Sequence, residues 1–130
     1  MSEKSTDEVA IRTAAMDYAE GWFDGDVARM ERALHPKLVK RAIERQTGSG
    51  EPVFVDLTKD DMLRFTRAGG GTKVPRDKLY YKVDILDICE EVADARVETV
   101  TYIDYLHLLN EGGNWLILNV IYTLNRAKQR

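Results

Sequence analysis

Apolar residues fall at Ile11, Ala14, Ala15, Tyr18 and Trp22, the helical period, and stop at Gly25. Ser5-Thr6-Asp7-Glu8 has the spacing of a capping box, so the pattern predicts an amphipathic helix beginning there. Asp26 offers a new N-cap, and Val27, Met30, Ala33 and Leu34 continue a short second helix until Pro36 forbids it. From Leu38 to Arg45 the pattern is mixed, with Val39 and Ile43 spaced for one strand face. Thr47-Gly48-Ser49-Gly50-Glu51-Pro52 is a turn signal before the strand-like Val53–Leu57, and together these predict a hairpin with a loose loop. Thr58 and Asp61 mark a third helix start. Met62, Leu63 and Phe65 give that helix an apolar side, and Gly69-Gly70-Gly71 ends it in a mobile loop over residues 69–78, a candidate lid.

The remaining chain is rich in β-branched and aromatic residues. Leu79–Cys89, Ala93–Leu109 and Asn114–Leu124 predict three long strands in an antiparallel meander. In the last strand Leu116, Leu118, Val120 and Tyr122 share one parity and Trp115, Ile117 and Ile121 the other, so both sheet faces read as apolar. Helices cover one face. A second copy of the same sheet is the economical cover for the other, which predicts a homodimer. Helices first and a long sheet last give an α+β fold, a helical layer on a curved antiparallel sheet, as a single domain over residues 1–130.

With 44% hydrophobic and 32% charged residues, the chain has the composition of an ordinary globular domain, and its net charge of −3 lacks the basic bias that would concentrate a polyanion. Nucleic acid is not an expected partner. The N-terminus has no secretory pattern and no apolar run spans a bilayer, so the expectation is a cytoplasmic protein without a membrane partner. Cys89, the single cysteine, is expected to be a small buried hydrophobe. Two histidines without a short ligand spacing give no metal site, and no cofactor fingerprint occurs. Lys37, Lys40, Arg41 and Arg45, like the tail Arg126, Lys128 and Arg130, read as solvated surface.

Several positions carry chemistry. Tyr18 and Trp22 lie one turn apart on the apolar helix face and should point at the sheet. Asp104, mid-strand beside Tyr102 and Leu106, is either solvated or buried with a partner; burial would raise its pKa and let it donate a hydrogen bond. His35 is placed to cap the second helix. His107 has the opposite parity to Asp104 and belongs on the outer face.

The order of elements, with Tyr18–Asp26, Leu34-His35-Pro36 and Tyr102–Leu108 leading into Gly113-Asn114-Trp115, resembles the nuclear transport factor two-like superfamily. Within it the chain most resembles the group labelled putative lumazine-binding proteins, and ketosteroid isomerases and SnoaL-like cyclases share the fold. The resemblance implies a cone with a pocket between helices and sheet. Tyr18 stands eight residues before Asp26, as the isomerases' oxyanion-hole tyrosine does before its Asp, and Ile103-Asp104 matches their oxyanion-hole carboxyl. Their carboxylate base falls at Ala42, which cannot take a proton. His35 could substitute, as could Glu44 after a change of register.

The favoured expectation is therefore a small-molecule-binding protein with a pocket lined by Tyr18, Trp22, Met62, Phe65, Tyr102, Asp104, Leu118 and Tyr122. One alternative is an isomerase, cyclase or dehydratase using Tyr18 and Asp104 to stabilise an enolate, with His35 or a carboxylate not identified from the sequence moving the proton. The other is a structural or partner-binding dimer whose Tyr18–Asp104 bond only closes the core.

Overall fold

The computed structural model describes residues 3–45 and 50–129, so the proposed turn residues Thr47, Gly48 and Ser49 lie outside the described part. Helix α1 (Glu3–Asp24) starts before the capping box expected at Ser5, which sits inside it. Asp26 caps α2 (Val27–Ala33) by accepting a hydrogen bond from the Arg29 N–H at 3.2 Å. Asp17 binds the two helices together. Buried on α1, it accepts from Arg29 Nε at 2.9 Å and Arg32 Nε at 2.8 Å. Burial alone would raise its pKa, but the two guanidinium hydrogen bonds outweigh that and hold it below the ordinary carboxylate value.

The capping box of α3 (Lys59–Arg67) is fully formed, with Thr58 Oγ1 accepting from the Asp61 N–H and the Asp61 carboxylate accepting from the Thr58 N–H. The following glycines are not a loose lid. Gly70 and Gly71 lie flat on the Trp22 indole, where a Cβ on either would come within 2.5 Å of a ring carbon. Their missing side chains let backbone close over the ring.

The sheet has six strands in the order β2-β1-β6-β5-β4-β3. These are β1 (Leu34–Arg45), β2 (Pro52–Thr58), β3 (Lys82–Cys89), β4 (Val92–Glu98), β5 (Tyr102–Glu111) and β6 (Asn114–Leu124). All pairings are antiparallel except β1 with β6, which makes the sheet mixed where an antiparallel one was expected. The run Ala93–Leu109 holds two strands. Thr99 divides it: its N–H donates to the Tyr102 carbonyl at 2.9 Å, and its hydroxyl accepts from the Tyr102 N–H at 3.0 Å. That turn uses threonine and valine and has none of the glycine or proline that marks turns in a sequence. The β5–β6 turn does carry such a mark, Gly112-Gly113 with φ of 62° and 90°, both left-handed as a two-residue hairpin requires.

One irregularity decides which residues face the helices. Between β5 and β6 the register shifts, pairing His107 with Asn119 but Leu108 with Ile117, so Leu118 is the extra residue of a β-bulge. The bulge reverses parity: Trp115 and Ile117 are buried before it, Val120 and Tyr122 after it. Both parities of β6 are apolar largely because each faces the helices over half the strand. Leu118 lies instead on the outer side with His107 and Asn119, contrary to its expected place in the pocket. Cys89 is exposed at the end of the edge strand β3, not buried as its apolar neighbours suggested.

Because Gly71 has no room for a side chain, Gly71→Ala is expected to force Trp22 or the loop aside and destabilise the fold by about 1–3 kcal/mol, read from urea unfolding. A wild-type midpoint would mean the loop yields freely.

Candidate functional site

The site is built on β1, whose inward residues are Leu38, Lys40, Ala42 and Glu44, while Val39 and Ile43 face outward and Ile43 is 59% exposed. Val39 and Ile43 do share one face, as their spacing indicated, and it is the outer one. Lys40, expected on the surface, is only 8% exposed. Its Nζ donates to Tyr18 Oη at 2.6 Å, and the Tyr18 hydroxyl donates onward to Asp104 Oδ1 at 3.4 Å. Tyr18 comes from α1, Lys40 from β1 and Asp104 from β5, so three elements meet in one hydrogen-bonded line.

Four rings surround the lysine nitrogen. It lies 4.7 Å from the Tyr122 centroid and 5.0 Å from that of Tyr18, with Trp22 and Tyr102 each at 5.9 Å. Tyr102 and Tyr122 also meet edge to face, with centroids 5.5 Å apart. The Tyr122 hydroxyl donates to Glu44 Oε1 at 2.6 Å. Glu44 thus reaches the site without a change of register, because in a strand it shares the face of Ala42 and Lys40.

Burial sets the protonation of the cluster. Asp104 is pushed up to about 6 by desolvation, against the opposing pull of Lys40 and the Tyr18 hydrogen bond. Desolvation also lowers Lys40 from its ordinary value, with Asp104 and Glu44 acting the other way. The phenols are pushed up: Tyr18 by burial and then the Asp104 charge, Tyr122 by burial and then its bond to Glu44, Tyr102 by burial and then Glu44.

Two spaces adjoin the lysine. The inner one, beside Tyr18, Trp22, Lys40, Tyr102 and Asp104, holds only about 10 Å³. The outer one, about 310 Å³, is lined by Trp22, Lys40, Glu44, Val55, Leu57, Met62, Phe65, Tyr102 and Tyr122. Of the eight expected lining residues, Trp22, Met62, Phe65, Tyr102 and Tyr122 line this larger space, and Tyr18 and Asp104 stand behind Lys40. The polar groups it meets include Lys40 and Glu44, neither of which was among the eight. A groove of about 390 Å³ on the outer side, along Cys89, Asp94, His107 and Leu118, is wider. Among the described residues its one orphaned polar atom is Asp94 Oδ1, and no Phe, Tyr or Trp lines it.

His35 is neither a helix cap nor near the cavity. It is the second residue of β1, where its Nδ1 accepts from the Lys37 N–H at 2.9 Å and its Nε2 donates to Glu111 Oε2 at 3.2 Å, at the hairpin end of the sheet. Among the described residues no group of three or more His, Cys, Asp or Glu side chains is gathered to hold a metal ion. No helix there is long and apolar enough to cross a membrane.

The raised Asp104 pKa links the site to stability. Between about pH 4 and about 6 the folded carboxyl keeps a proton that the unfolded chain, ionising near 3.8, releases, so this group's contribution falls as pH rises. Asp104→Asn is expected to remove that slope. The wild type should lose roughly a few kcal/mol relative to the variant from pH 4 to 6.5 in parallel denaturation series. Parallel pH profiles would mean that Asp104 is not desolvated.

No curated protein matches the chain. Among solved structures, an NTF2-like protein of unknown function from Silicibacter pomeroyi is 17% identical, with a TM-score of 0.74 over 96% of this chain and 100% of that one. Another from Methylobacillus flagellatus is 22% identical, with a TM-score of 0.71 over 96% and 95%. A ketosteroid isomerase-like protein from Erwinia carotovora is 12% identical, with a TM-score of 0.60 over 90% and 95%. At these identities the likeness establishes the fold, the NTF2-like one. The family model described as "Putative lumazine-binding" matches residues 6–123, nearly the whole chain, and the protein belongs to that family.

Proposed function

We propose that this protein binds a small planar molecule in the cavity between α1, α3 and the inward face of β1, β5 and β6. The observation that carries this reading is the cavity of about 310 Å³ with Trp22, Phe65, Tyr102 and Tyr122 as walls and Lys40 at its floor. Aromatic walls favour a flat apolar body, and a few placed polar groups fix its orientation. Lys40 supplies a donor for a carbonyl or ionised oxygen. Glu44 supplies an acceptor for a ligand N–H or O–H. The family's description supports a ligand of this kind without naming this chain's own.

One observation favours a second reading, acid–base chemistry of the isomerase or cyclase type. A carboxylate stands in the cavity after all: Glu44, on the face where the isomerases' base position falls at Ala42. With Lys40 holding a ligand oxygen and Tyr18 and Asp104 behind it, Glu44 would accept the proton from carbon.

A thermal-shift screen against pteridines, flavins, steroids, phenolates and polyketide-like aromatics tests both. A ligand at about 100 times its Kd is expected to stabilise the fold by ~2.7 kcal/mol, a shift of roughly 10 °C, and Trp22→Leu and Lys40→Met should each abolish it. Solvent deuterium exchange into a bound ketone that Glu44→Gln removes would make the protein an enzyme. No shift in any class would remove the binding reading.

We further propose that two copies pair through the outer sheet face. Tyr105 and Ile121 are direct cross-strand neighbours there, 44% and 62% exposed, and Ile43 adds a further exposed apolar side chain on β1. Sedimentation at micromolar concentration should give a dimer that Ile121→Glu converts to a monomer. A wild-type monomer near the chain mass of 14.8 kDa would overturn this.

A further inference from the structure

We propose that Lys40 is a nucleophile, forming a reversible imine with an apolar aromatic aldehyde or ketone that enters the cavity. This rests on the binding reading above and adds covalent chemistry to it. Three geometric facts carry it. Lys40 Nζ borders both the inner space and the open cavity, so a carbonyl carbon among the aromatic walls can reach the nitrogen. Among the described residues the nitrogen's hydrogen-bond partner is Tyr18, on the side away from the open cavity, whose lining does not include Tyr18. Behind it stands a proton relay, Tyr18 Oη at 2.6 Å and Asp104 Oδ1 at 3.4 Å beyond.

The surroundings suit the chemistry. A lysine amine is a weak nucleophile while protonated, and an apolar enclosure disfavours the ammonium. Desolvation lowers Lys40, opposed by the charges of Asp104 and Glu44; the other groups facing it, Tyr18, Tyr102 and Tyr122, are phenols held neutral. Near neutral pH Asp104 still carries a proton in part of the population. The exposed lysines Lys37, Lys73 and Lys82 lack this enclosure.

The step balances without an added oxidant or reductant. The neutral Lys40 amine attacks the carbonyl carbon and the C=O π pair moves to oxygen, which takes a proton from water in the open cavity. The nitrogen passes a proton along its hydrogen bond to Tyr18, whose own proton moves to the ionised Asp104, giving a neutral carbinolamine. The carbinolamine hydroxyl takes a second proton from water, the nitrogen lone pair forms C=N, the C–O bond breaks and water leaves. The iminium loses its N–H proton to water, and Asp104 returns its proton through Tyr18, so the relay ends as it began. Amine plus carbonyl gives imine plus water.

Trapping tests this. The full-length protein is incubated with substoichiometric 2-naphthaldehyde and cyanoborohydride, and the adduct is located by peptide mass mapping. One naphthylmethyl group is expected on Lys40, forming about tenfold or more faster than on any exposed lysine, with Tyr18→Phe slowing it by a similar factor. Lys40→Arg, which keeps the cation, should lose the adduct. Binding of 2-naphthalenemethanol, which cannot form an imine, is read in parallel by isothermal titration calorimetry. If the alcohol binds and the aldehyde labels lysines indiscriminately, the nucleophile is overturned and the binding reading stands. If the alcohol does not bind and Lys40 is not labelled, both fall.

Discussion

The burial of one lysine organises this structure. An ammonium cannot leave water without compensation, and Lys40 receives it from three directions: a short hydrogen bond to Tyr18, the nearby Asp104 carboxyl and the faces of Tyr18 and Tyr122. Each partner comes from a different element, so α1, β1, β5 and β6 must all be in place before any of these groups is satisfied. The compensation is incomplete on the cavity side. A core built for stability alone would put leucine at this position, because replacing a buried charge by a well-packed apolar side chain is often neutral or stabilising.

The rest of the fold arranges access to that nitrogen. The bulge at Leu118 lets a single strand supply Trp115 and Ile117 beneath the start of α1 and then turn Val120 and Tyr122 inward at the other end. The Trp115 indole donates to Asp7 at 3.0 Å and fixes one end of α1. Near the other end Gly70 and Gly71 press on Trp22 and hold its ring as a wall. Met62 and Phe65 close the side from α3, a helix whose start is pinned by its capping box. The cavity is therefore held by secondary structure on three sides, as a binding site of defined shape requires.

How much of this was legible depends on whether the local pattern and the tertiary need agree. They agree in the helices: Asp26 and Thr58 cap where their side-chain chemistry says they should, and Tyr18 and Trp22 point at the sheet as helical spacing requires. The α+β architecture follows from the same reasoning, while the pairing of Tyr18 with Asp104 was implied by the resemblance to ketosteroid isomerases. They part on β1, where Val39 and Ile43 share one face but each parity carries two apolar and two charged residues, so the pattern does not say which face is inward; the structure turns Leu38, Lys40, Ala42 and Glu44 there. Burial of a lysine contradicts the rule that polar side chains face water, and such contradictions collect at functional sites. The bulge and the threonine turn were hidden for another reason: the bulge is set by pairing between β5 and β6, the turn by local bonds between Thr99 and Tyr102, and neither leaves a glycine or proline behind.

The same contradiction bears on what the site does. Tyr18 and Asp104 were expected to hold a ligand oxygen between them, but the Tyr18 proton points to Asp104 and its lone pair is taken by Lys40. The pair forms a base beneath the lysine, and its effect on a ligand passes through Nζ. The protonation of Asp104 then matters for a different purpose. With Asp104 ionised, the ammonium is favoured; with Asp104 protonated, that support for the ammonium is lost. The carboxyl that burial has brought to about 6 therefore acts on the proton balance of the lysine from behind it, and not on the cavity directly.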